Sequence, residues 1–154
     1  MADEVELIEA LLQPFRTVKD GLDKANVREE AETVVHELLA LYEQGDEGTR
    51  VAVRGLLGQC DDFSWATRAL PPGRTPEAFR RRLLYLSARD QAFDPRDEMV
   101  WLNDMCEQAR EAGVDMRPLL LEIAELSSTE DKYGMGSLRG ILLRAAERDP
   151  VGLW

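Results

Sequence analysis

At 154 residues, 44% hydrophobic and 32% charged, the chain has length for one domain burying roughly 70% of its unfolded surface, a composition that excludes an intrinsically disordered acidic tail. Apolar runs such as Leu119–Leu120–Leu121 fall far short of the roughly 18 residues that cross a bilayer. The start Met1–Ala2–Asp3–Glu4 is acidic where a secretory leader is basic, and Cys60 and Cys106 form no C-x-x-C pair, so a reduced, cytoplasmic protein without a membrane span is expected.

Along the chain, Asp3 and Glu6 read as a capping box for a first amphipathic helix carrying Leu7, Ile8, Leu11, Leu12, Phe15 and Val18, kinked at Pro14. From Asn26 a second helix places Val27, Ala31, Val34, Val35, Leu38, Leu41 and Tyr42 on one face, and Gly45 stops it. Asp46 can cap a third, with Val53, Leu56, Leu57 and Cys60; Gly55 and Gly58 within it would allow a neighbouring helix to approach closely. A short element over 61–70 holds Phe63 and Trp65 before Pro71–Pro72–Gly73 breaks the chain.

Thr75–Pro76 and Asp94–Pro95 each read as an N-cap followed by proline at the first helical position. The helix after Asp94 ends at Gly113, Asp115 starts another to about Leu126, and Ser137 starts the last one, through about Arg148. No segment alternates with period two, so strands are not expected. The fold class is therefore all-α, with seven to eight helices in one domain over 1–154, as a compact bundle or as stacked antiparallel helix pairs of HEAT-like type. A partial echo of Gly45, Arg50 and Leu56–Leu57 in Gly113, Arg117 and Leu119–Leu120 hints at repetition.

The net charge of −11 is unevenly laid out. Residues 1–48 carry 13 acids against 4 bases, 49–93 carry 4 against 8, and 94–154 carry 13 against 7. Blocks of opposite sign give a surface direction and bear on partner choice and association rate.

Catalytic and metal chemistry find little footing. His36, the only histidine, falls opposite its helix's apolar stripe beside Glu29 and Glu32, as an exposed residue of an acidic face, with no serine or cysteine tied to it by a motif. Clusters at Glu29–Glu30–Glu32, Asp61–Asp62, Asp94–Asp97–Glu98 and Glu130–Asp131 lack EF-hand spacing; those after Asp94 suit a helix N-terminus, and Glu130–Asp131 stand where a capping box from Ser127–Ser128 requires them. Neither a cofactor nor a metal is expected.

The segment Tyr133–Gly134–Met135–Gly136–Ser137 has phosphate-loop glycines, but it lacks the Lys–Ser/Thr pair and a preceding strand, so it reads as a turn capped by Ser137. Leu138, Ile141, Leu142 and Ala145 form the inner face of the helix behind it. Gly134–Met135–Gly136–Ser137 resembles the late Gly-Met-Gly-Ser motif of small, acidic, helical immunity proteins of bacterial polymorphic toxin systems, over about nine residues from Tyr133 to Ile141. The family pattern continues with Asn–Asp where this chain has Arg139–Gly140. The resemblance implies an inhibitor that covers a cognate toxin, in a toxin–antitoxin pair.

Three partner surfaces stand out. Glu29, Glu30 and Glu32 form an acidic N-terminal surface suited to a basic partner protein. If Phe79, Leu83 and Leu86 face the core, then Arg81, Arg82, Tyr85 and Arg89 form an exposed stripe on the far side of their helix, suited to an acidic peptide. Trp101, with Met105 and Ala112, widens the apolar arc of the next helix toward a dimer or partner contact. A pI of about 4.6 disfavours nucleic acid. The leading expectation is a non-enzymatic protein-binding domain; the alternatives are a helical-repeat adaptor using the Arg/Tyr stripe and a helical enzyme or ligand-binding domain with buried carboxylates in a cleft.

Overall fold

A computed structural model describes residues 28–59, 73–92, 95–131, 134 and 136–147, with the backbone alone for 28–35, 56–59 and 92. Among them are six α-helices, one 3₁₀ turn and no strand, in agreement with an all-α fold. The helices are α1 (Arg28–Gln44), α2 (Glu47–Gln59), α3 (Pro76–Ala88), α4 (Pro95–Ala112), α5 (Arg117–Leu126) and α6 (Leu138–Glu147), with the 3₁₀ turn at Asp90–Ala92. The helix expected at the N-terminus, the element over 61–70, Cys60 and the Asp94 cap lie outside the described residues. The chain divides into two compact units, Met1–Leu70 and Pro71–Trp154, at the Pro71–Pro72–Gly73 break.

In the first unit α1 packs on α2 through a two-residue link. Gly45 closes α1 by donating its N–H to Leu41 O at 2.9 Å, and a Cβ there would lie 2.7 Å from that oxygen and from Thr49 Cβ, so only glycine fits. Asp46 caps α2: its Oδ1 accepts from Thr49 N at 2.9 Å and from Thr49 Oγ1 at 3.1 Å. Leu38, Leu39, Tyr42 and Val53 are buried, while Leu41, expected on the same face, is half-buried. Among the described residues, none comes within 4 Å of a Cβ built at Gly55.

In the second unit α3 packs on both α4 and α5, and α6 packs on α5 and α4. The start of α3 is as the sequence dictates: Thr75 Oγ1 accepts from Ala78 N at 3.1 Å and Pro76 occupies the first turn, where its missing N–H costs nothing. At its other end α4 stops in a Schellman motif, with Gly113 at φ 74° and its N–H on Arg110 O, and Val114 N on Ala109 O. Asp115 Oδ1 accepts from Arg117 N at 3.0 Å and so steers the chain into α5. Ser137 Oγ accepts from Gly140 N at 3.1 Å to cap α6, whose inner face of Leu138, Ile141, Leu142 and Ala145 is buried.

The capping box expected at Ser127–Asp131 does not form, because no helix starts there. Ser128 Oγ instead accepts from Glu130 N at 3.1 Å, and Asp131 Oδ1 accepts from Gly136 N at 2.8 Å. Both bonds shape the α5–α6 loop. Gly134 (φ 72°) and Gly136 (φ 99°) make its left-handed turns, a backbone conformation that glycine adopts without a Cβ clash.

Candidate functional site

The central helix α3 overturns the exposed Arg/Tyr stripe. Phe79, Leu83 and Leu86 do face the core, but Leu84, Tyr85, Ser87 and Ala88 are buried too, leaving Tyr85 1% and Arg89 8% exposed. The physical reason is the run Leu83–Leu84–Tyr85–Leu86–Ser87–Ala88, which offers water no charged face and is covered by helices on more than one side. Tyr85 OH accepts from Arg89 NH1 at 3.3 Å inside the unit, and burial pushes the phenol above its ordinary pKa against the opposing pull of that guanidinium.

Arg81 and Arg82 remain half-buried at the surface. Arg82 donates to Gly73 O and to Gln108 Oε1 and lies 5.0 Å from the Phe79 ring centroid. Its neighbour Arg80 holds Glu122 Oε1 on α5 through Nε at 3.0 Å and NH2 at 2.7 Å, and Arg74 meets Glu111 on α4 at 3.1 Å. In the first unit Arg54, 5% exposed, donates to Tyr42 OH at 3.1 Å and to Glu47 Oε1 at 2.8 Å, and Arg50 donates to Gly45 O at 2.7 Å at the end of α1. Arg50, Arg54, Arg74, Arg80, Arg82 and Arg89 of the middle block thus bond within their own units.

Of the other predicted positions, Glu29, Glu30 and Glu32 lie in the first two turns of α1, with side chains outside the described residues. His36 is exposed, as expected. Trp101 is half-buried on α4, Met105 and Cys106 beside it are buried, and Ala112 is exposed. Sequence reasoning missed the buried carboxylates Asp90 and Glu98, exposed by 2% and 0%. Glu98 was placed in the first turn of α4, where a dipole argument is silent on burial. No group of three or more potential metal ligands occurs among the described residues, and no described helix is long and apolar enough to cross a membrane.

A groove of about 480 Å³ lies between α5 and α6, lined by Leu121, Ala124, Glu125, Arg139 and Leu143. Arg139, in the first turn of α6, donates from Nε to Ala124 O and from NH2 to Glu125 O, each at 2.9 Å. These carbonyls belong to the last turn of α5, where the i+4 donors run out; Ala124 O also accepts from Ser127 N at 3.1 Å, and the guanidinium adds its bonds at the negative end of the helix dipole. The start of α6 therefore lies beside the end of α5, and the two helices run antiparallel. One end of the groove is polar, at Glu125 and Arg139. The other is apolar, where Leu121 and Leu143 are 45% and 38% exposed.

No family model matches the chain, and comparison with curated proteins and with solved structures gives no significant match. Function is therefore argued from the chemistry of these residues. The groove offers an apolar wall and one exposed carboxylate, a combination that suits a protein side-chain surface better than a reaction centre.

Proposed function

We propose that this chain is a non-enzymatic protein-binding module whose acidic surface takes a basic partner protein. The observation that carries it is the internal use of arginine. Arg50, Arg54, Arg80, Arg82 and Arg139 each bond to carbonyls or side chains of their own unit, while Glu37, Glu107, Glu125, Glu130 and Glu147 stand exposed. With a net charge of −11, the field offered to a partner is negative, which speeds association with cations and turns away polyanions. The burial of Tyr85 and Arg89 removes the support for an adaptor that reads acidic peptides with that stripe.

The sharpest form of this reading is an immunity-type inhibitor that neutralises a cognate toxin in the cytoplasm. Supporting it are the small size, the acidity and the Gly134–Ser137 turn that resembles the late motif of such proteins. The same proposal includes a fold of seven to eight helices, as a compact bundle or as stacked antiparallel helix pairs of HEAT-like type. Pull-down and calorimetry against the product of the adjacent gene test it. Association that weakens steeply with salt is expected; no salt-sensitive association would remove it.

A further inference from the structure

We infer that the α5–α6 groove is the seat of an amphipathic helix from the basic partner, with two apolar side chains on Leu121 and Leu143 and a Lys or Arg facing Glu125. This rests on the protein-binding reading and assigns it a place. Three observations point to that occupant. First, α5 is apolar around most of its circumference: Leu120, Ile123 and Ala124 are buried inward, yet Leu119 is only half-buried and Leu121 is exposed. A helix of that kind is covered on more than one side. Second, of the large hydrophobic residues exposed among those described, Val51, Val100, Leu121 and Leu143, the two leucines line one groove from two helices.

Third, the two charges of the lining are presented differently. Arg139 is turned onto the α5 carbonyls, and Glu122 is held by Arg80. The exposed Arg144 lies toward Gly136 and does not line the groove. Glu125 is left as the outward charge of the lining, its carboxylate without a hydrogen bond or ion pair among the described residues. A compact small molecule needs several converging polar groups, which this lining lacks. A helix needs apolar contacts one turn apart and a charge beside them, which it has.

The probe is a synthetic helical peptide of roughly 16 residues with leucines at i, i+4 and i+7 flanked by lysines, added to the isotopically labelled full chain. Two control peptides replace all lysines by glutamate, or all leucines by serine. The lysine peptide should shift the amides of Leu121, Ala124, Glu125, Arg139 and Leu143 first. Leu121→Ser or Leu143→Ser should weaken its binding about tenfold or more, and Glu125→Gln several-fold with a shallower salt dependence. Both leucines are surface-exposed, so circular dichroism of these variants should match the parent. Shifts confined to the exposed acids of α4, unmoved by either leucine substitution, would overturn the groove while leaving the acidic-binding reading intact. Equal binding of the glutamate peptide would overturn the charge assignment. Concentration-dependent dimers mapping to Leu121 and Leu143 would give the groove to a second copy instead. Loss of all salt-sensitive binding, to peptides and to basic proteins alike, would remove both readings.

Discussion

Ser87 Oγ on α3 lies 2.7 Å from Ser127 Oγ at the end of α5, and both side chains are fully buried. Ser127 Oγ also donates to Ile123 O at 2.7 Å. The pair is a polar clamp across an apolar contact. Replacing Ser127 by alanine removes both of these bonds from a buried site and should cost about 1–3 kcal/mol. The double Ser87→Ala, Ser127→Ala variant should lose less than the sum of the two single variants, because the bond between the hydroxyls is counted in both. Denaturant titration of the four-member cycle checks this; strict additivity would show that the hydroxyls are not coupled.

Arg139 makes a second cross-link, from α6 to the last carbonyls of α5. Arg139→Ala removes two charge-assisted bonds and a favourable charge at a helix C-terminus, so a loss of about 1–3 kcal/mol is expected. Arg139→Lys keeps the charge and loses the fork, and should fall between. Faster amide exchange at the end of α5 in the alanine variant would localise the effect. Unchanged exchange there would show that the fork does not hold the helix end.

Features set by a few neighbouring residues were legible in the sequence, among them the caps at Asp46, Thr75 and Ser137, the stop at Gly113 and the inner face of α6. Tyr85 and Arg89 were not. A helical wheel anchored on Phe79, Leu83 and Leu86 sends them outward, while their burial depends on how α4 and α5 cover α3. The clue was the uncharged run 83–88, which leaves no hydrophilic face. The groove was half legible. Leu121 was visible in a leucine run, but whether position 119, 120 or 121 faces water depends on where α6 returns after an irregular loop. Arg139 stood out in sequence only as a departure from the immunity-protein pattern, because its bonds reach 14 and 15 positions back.

Gly113 offers a clean measure of backbone strain. Its φ is 74°, and a Cβ there would touch nothing within 4 Å among the described residues, so a substitution is penalised through conformation rather than contact. Gly113→Ala should destabilise by about 1–2 kcal/mol and Gly113→Asn by less, since asparagine enters the left-handed region more readily. Thermal melts of the two variants check the order. Equal losses would point to a steric cause.

Cys106, 2% exposed on α4, has its thiol pushed up to about 11 by burial. At neutral pH it is a protonated, shielded side chain, so it should resist alkylation in the folded protein. In a Cys60→Ala background, mass spectrometry after iodoacetamide at pH 8 should find Cys106 unmodified until denaturant unfolds its unit. Rapid labelling without denaturant would mean that the packing around α4 opens readily.

The acid limb of stability in the first unit follows from Asp46 and Glu47. The Thr49 N–H holds the Asp46 carboxyl below its usual 3.8. Burial works against the Glu47 charge, but the bonds from Arg54 and Arg50 outweigh it and hold that carboxyl below its usual 4.5. For groups whose folded-state pKa is depressed, the stabilisation is full above the unfolded values and is lost as pH falls through the folded ones. Amide protection across α1 and α2 should thus be flat toward neutral pH and decline below about 4.5. Asp46→Asn keeps a capping oxygen for Thr49 but no titrating group, so it should change neutral stability little and flatten the decline. Hydrogen exchange from pH 3 to 7 separates the outcomes: an acid limb as steep in Asp46→Asn as in the parent would place its origin at other carboxylates.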